Sequence, residues 1–97
     1  MANICDNKMY VLSEVPENIK YIKEYMKNWN GADIEDIDDD SFEVYFSSRW
    51  DFPLTEMNEM VEKIPDKEDI FIRVLSVEES TCYCAFHLYE GKEWEYQ

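Results

Sequence analysis

Glycine and proline are scarce in this 97-residue chain, at two and three residues, and nine Lys and Arg stand against 23 Asp and Glu. With so little to free or break the backbone, a flexible linker or low-complexity tract is excluded, and the length suits one domain spanning residues 1–97. No apolar run approaches the ~20 residues of a membrane-spanning helix. The N-terminus has no basic stretch leading into an apolar one, so no secretory signal is expected. Cysteine is also sparse. Three is an odd number, in a chain apolar enough to fold without disulfides, so reduced thiols in a cytoplasm are the expectation. There is one histidine, no glycine-rich phosphate loop and no HExxH pattern. A non-enzymatic protein without cofactor or metal is therefore expected.

What the chain has in abundance is carboxylate and aromatic side chains. Acidic disordered chains are poor in aromatics, whereas this one carries three Trp, seven Tyr and five Phe, enough to build a core. A folded body with a net charge of -14 keeps anions away and draws in basic partners. Total charge alone does not imitate nucleic acid. A chain of this size exposes roughly 5,900 Å², or about 420 Å² per net charge, against about 100 Å² per phosphate on duplex DNA. Mimicry requires the acids to be crowded onto one surface.

Hydrophobic periodicity orders the elements. Residues 8–13 (KMYVLS) read as a strand. Pro16 suits a first helical position, and Ile19, Ile22, Met26 and Trp29 recur at helical spacing, with Gly31 as the stop. Residues 32–40 break strict alternation at Ile34 and Ile37 and read as an irregular edge strand with a turn through Asp38, Asp39 and Asp40. Residues 41–50 alternate cleanly and form a strand. Pro53 opens a second helix with its stripe at Leu54, Met57, Val61 and Ile64. Two further strands follow, through Ile70, Ile72 and Val74 and through Cys82, Cys84, Phe86 and Leu88, joined by a turn near residues 78–81. Gly91 then leads into an aromatic tail with Trp94 and Tyr96. This order, βαββαββ, predicts an α+β two-layer sandwich of the ferredoxin-like type, with an antiparallel sheet and two helices on one face.

Three short motifs carry a family resemblance. They are MANICDN at residues 1–7, Asn28-Trp29 at the end of the first helix, and FSSRWDFP at residues 46–53. Together they resemble the M-[AP]-N-W-C-x-N start, the N-W-G motif and the F-x-[ST]-x-W-x-P-P passage of YubB-like proteins, with Ile4, Asn30 and a single Pro53 as departures. The resemblance implies a ferredoxin-like domain of plasmid or phage origin. It brings no catalytic residues with it.

Seven acids and no base fall between residues 33 and 43: Asp33, Glu35, Asp36, Asp38, Asp39, Asp40 and Glu43. At such density they repel one another unless solvent or a cationic partner relieves them. They read as a phosphate-like ladder for a basic groove or as a solvated acidic loop. A calcium loop is disfavoured, since Ser41 stands where the sharp turn needs Gly and Ser47 where a bidentate Glu closes the site. A second acidic group, Glu56, Glu59 and Glu62, lies on the outer side of the second helix. Cys82 and Cys84, with Cys5 and His87, invite a zinc site. Alternation instead puts the two cysteines of that strand on the core side and His87 on the other.

The same alternation predicts an open sheet face presenting Tyr45, Arg49, Phe71, Arg73, Leu75, Tyr83, His87 and Tyr89. Aromatics with Arg suit an interface between copies or with another protein. RNA binding is opposed by the charge. The leading expectation is an acidic inhibitor from a phage or plasmid that blocks the basic nucleic-acid groove of a host factor, in the manner of anti-restriction and anti-CRISPR mimics. An immunity-type inhibitor of a basic toxin and an adaptor dimerising through the aromatic face are the alternatives.

Overall fold

The computed structural model describes residues 4–29, 31–49, 52–78 and 83–96. Among these residues six strands and two helices follow one another as β1 (Ile4–Leu12), α1 (Pro16–Lys27), β2 (Asp33–Asp38), β3 (Ser41–Arg49), α2 (Leu54–Glu62), β4 (Phe71–Glu78), β5 (Tyr83–Tyr89) and β6 (Trp94–Tyr96). All the strands join one sheet in the order β2-β3-β1-β4-β5-β6, and every neighbouring pair is antiparallel. The architecture is α+β. It has one strand more than the sequence predicts, because the aromatic tail pairs Trp94 with Tyr89 and Tyr96 with His87.

Strand β1 begins four residues before its expected start at Lys8. The polar pair Asp6 and Asn7 hides the signal. Asn7 faces inward, where it is buried and hydrogen-bonded, so a strand position that looks solvated belongs to the interior. Helix α1 starts at Pro16, which fits the first turn because its missing N–H has no intrahelical partner there. The helix ends at Asn28, and Gly31 takes a φ of +82° just beyond it.

Both helices pack on one side of the sheet. Ile19, Ile22 and Met26 of α1 and Met57, Met60 and Val61 of α2 meet Met9, Val11, Phe42, Val44, Ile72 and Val74 in a single buried core. On α2 the buried stripe is displaced from the expected one: Met60 is fully buried, whereas Leu54 in the first turn is half exposed. The helices are tied to each other by hydroxyls, Tyr21 donating to the Met60 carbonyl at 2.6 Å and Tyr25 to that of Glu56 at 3.1 Å. Trp29 caps the α1 end of the core, its ring edge-on to Phe46 and its indole N–H donating to the Ser47 carbonyl at 2.9 Å. Among the described residues no helix is long and apolar enough to cross a membrane.

Candidate functional site

Among the described residues strand β2 lies at the sheet edge and pairs only with β3, leaving one side of its backbone outside the ladder. Pairing distributes its acids by alternation. Asp33 stands opposite Tyr45 and Glu35 opposite Glu43, on the face away from the helices. Ile34 opposite Val44 and Asp36 opposite Phe42 point to the helix side. The register shifts between Asp36 and Asp38, a bulge that turns the chain away from regular pairing. Asp38, Asp39 and Asp40 then form the exposed turn into β3. The Asp38 carboxylate accepts the Asp40 backbone N–H at 2.8 Å and the Ser41 hydroxyl at 3.0 Å. These two donors, the Asp40 N–H foremost, hold its pKa below the usual carboxylate value.

Two of the seven acids are paired. Lys23 of α1 forms an ion pair with Asp36, and Lys8 of β1 reaches Glu43 at 3.4 Å. Glu43, in turn, raises the Lys8 pKa through a hydrogen bond and its charge. The other five, Asp33, Glu35, Asp38, Asp39 and Asp40, are exposed and make no ion pair among the described residues. The segment is thus a solvated acidic edge, partly neutralised on its flanks and uncompensated along its outer rim. Averaged over the whole accessible surface of 6182 Å², the net charge is still only one per about 440 Å², far sparser than the phosphates of a duplex. Local crowding along this edge is what departs from the average. Glu56, Glu59 and Glu62 are exposed on α2.

The sheet face away from the helices differs from the sequence expectation in β5. Val74 pairs with His87 and Ile72 with Tyr89, so His87, Tyr89 and Ala85 share the helix side with the core. Cys84, Phe86 and Leu88 point outward, opposite Val77, Leu75 and Arg73. The expected facing is therefore inverted for this strand. A period of two makes the two faces of an isolated strand interchangeable, and both sets here are apolar enough to be buried. His87 stacks on Phe52 with ring centroids 3.8 Å apart, and Tyr89 is buried beside Trp94. Of the expected aromatic face, Tyr45, Phe71, Arg73 and Leu75 lie on the outer side. Arg49 and Tyr83 belong to β3 and β5, but their side chains, like Cys82 and the expected turn after Glu78, lie outside the described residues. On this face Arg73 sits over the Tyr10 ring at 4.5 Å and Lys8 over Tyr45 at 5.7 Å, while Tyr10 meets Phe71 edge-on.

A third feature was invisible in the sequence. At one end of the helix side, Cys5, Asn7, Ser76 and Glu78 are all buried. Asn7 links Cys5 and Ser76, accepting the Cys5 thiol at 3.8 Å and the Ser76 hydroxyl at 2.6 Å while donating to Ser48 Oγ at 2.9 Å. The β1–β4 register, which pairs Asn7 with Ser76, brings the group together, and no spacing within one strand encodes that. Cys5 and Cys84 fall on opposite sides of the sheet, one buried and one exposed. Among the described residues no three His, Cys, Asp or Glu are grouped to hold a metal ion.

Comparison with known proteins returns no matching family model, no matching curated protein and no matching solved structure.

Proposed function

We propose that this protein is a non-enzymatic acidic inhibitor of phage or plasmid origin, and that it occupies the basic nucleic-acid-binding groove of a host protein such as a nuclease complex. Five exposed carboxylates along one sheet edge and its turn, without an ion pair among the described residues, carry this reading. Their mutual repulsion is a standing cost that a cationic surface relieves. They sit on a strand and a tight turn fixed by pairing with β3, so little ordering entropy is lost on docking. Asp33, Glu35, Asp38, Asp39 and Asp40 act directly. Asp36 and Glu43, already paired with lysines, play a supporting part.

For the architecture, the proposal is a ferredoxin-like sandwich made of β1 to β4 with the two helices, extended by β5 and β6. The strand order β2-β3-β1-β4 supports it, and so does the placement of both helices on one side. Kinship with YubB-like proteins belongs to the same proposal. Cys5 and Asn7 of its N-terminal motif lie in the buried hydrogen-bonded group, a structural use for short polar residues at those positions.

Capture from host lysate, with and without competing duplex DNA, tests the function. DNA should displace the partner, and capture should fall roughly tenfold or more between 50 and 200 mM salt. The variant D33N/E35Q/D39N/D40N removes the charge while keeping the Asp38 turn, and it should abolish capture. Capture that survives both DNA and this variant would refute the mimic. A DNA-resistant partner that is a basic toxin would instead select the immunity-type inhibitor.

A further inference from the structure

The outer face of the four central strands is locally neutral, while the edge strands bring Asp33, Glu35 and Glu95 to its margins. On the four central strands its described charged side chains are Asp6, Lys8, Glu43 and Arg73, two of each sign, on a chain whose net charge is -14. Both cations lie over tyrosine rings, and Lys8 also pairs with Glu43. Around them the surface is apolar. Leu12, Tyr45 and Leu75 are each about two-fifths exposed, and Phe71, Phe86 and Leu88 fill the space between. Both helices cover the opposite side. Contiguous apolar patches above a few hundred Å² mark interaction sites on monomer-sized proteins.

We infer that this face is the contact surface of a two-fold homodimer, a second copy of the chain being its occupant. Two arguments select that occupant. The first is area. Four strands spaced by ~4.8 Å, with about eight residues at ~3.3 Å along each, give a central face on the order of 500 Å² in projection. Side-chain relief brings this near the ~600 Å² per partner at the lower end of specific interfaces. The second is charge. A nucleic acid or an acidic protein is repelled by the molecule as a whole. Two copies of this central face meet without a net charge on either, each offering the cations Lys8 and Arg73 and the anions Asp6 and Glu43 to the other. Tyrosine and arginine at its centre are the residue types that anchor interfaces.

Self-association through this face has an unusual salt signature. The contact itself is apolar and neutral, whereas the two bodies repel at long range, so added salt screens the repulsion and tightens the dimer. Capture by the acidic edge responds in the opposite sense, which keeps the two readings separable. The inference does not depend on the proposed function.

Sedimentation equilibrium of the full chain at 50 and 500 mM NaCl is the test. A mass of two chains is expected, with a dissociation constant several-fold lower at the higher salt. Leu75→Glu should weaken the dimer by roughly a hundredfold, and Tyr45→Ser should weaken it as well, giving a second reading if the first variant fails to fold by circular dichroism. The variant D33N/E35Q/D39N/D40N should leave it intact. A monomer at both salt concentrations up to about millimolar protein, far above the affinity of a specific, stable interface, would overturn the inference. So would a dimer indifferent to both face variants, or one dissolved by salt.

Discussion

Glu35 and Glu43 stand directly opposite each other across the β2–β3 ladder. Like charges in that relation are destabilising, by an amount comparable to the gain from opposite charges. Lys8 relieves Glu43 from the β1 side, and Glu35 has no such neighbour among the described residues. Glu35→Lys should therefore raise the unfolding free energy by about 0.5–1 kcal/mol, read from the urea midpoint at constant slope. The same substitution should weaken capture of a basic partner. Stability and binding moving in opposite directions is the expected mark of an edge whose repulsion serves recognition.

The Asp38 turn makes the acid limb of the stability curve informative. Hydrogen bonds from the Asp40 N–H and the Ser41 hydroxyl depress its folded pKa below the ordinary value of 3.8. The stabilisation is thus fully present above that value and is lost as pH falls through the folded one. Asp38→Ala should lower the urea midpoint at pH 7, and the gap from the parent protein should close progressively below about pH 4. A gap unchanged at pH 2 would show that the charge is not what closes the turn.

Asn18, the fully buried polar residue of α1, knots the helix start to the segment before β4. Its amide donates to the carbonyls of Asp66 at 2.7 Å and Asp69 at 2.9 Å, and its oxygen accepts the Asp66 N–H at 2.9 Å. Alanine at this position leaves the Asp66 carbonyl and N–H without their side-chain partners, whereas the Asp69 carbonyl keeps the Ser13 hydroxyl. Each group left unpaired costs about 1–3 kcal/mol. A loss of about 2–4 kcal/mol is expected on that basis, measured by denaturant titration. Asn18→Asp should also destabilise, because a carboxylate cannot donate to the two carbonyls.

Thiol labelling checks the facing of β5. In a Cys82→Ser background, Cys84 should react with a maleimide in the native state. The fully buried Cys5 should react only through opening, on the order of a hundredfold more slowly. Equal protection of the two would place Cys84 on the core side. Peptide mass mapping over a time course distinguishes the outcomes.

The helices were legible because a 3.6-residue period leaves only one apolar stripe, and Ile19, Ile22 and Met26 occupy it without a competitor. The acidic edge was legible for a related reason. Six acids without a base cannot enter a core, so residues 33–40 had to lie at a sheet margin or in a loop. Strand β5 was not legible, since Cys84, Phe86 and Leu88 are no less apolar than Ala85, His87 and Tyr89. Register with β4 decided between them. The neutralisation of Asp36 by Lys23 likewise depends on how α1 crosses β2, a relation that linear spacing does not contain.

Local periodicity and charge thus determined both helices, five of the six strands among the described residues, the α1 stripe and the place where uncompensated acid would gather, because each depends on near neighbours in the chain. Tertiary structure alone decided which face of β5 is buried, which two acids acquire lysines, and that Cys5, Asn7, Ser76 and Glu78 share one interior corner. Those outcomes turn on contacts between elements distant in sequence, and for the strands a register shift of one residue exchanges inside for outside.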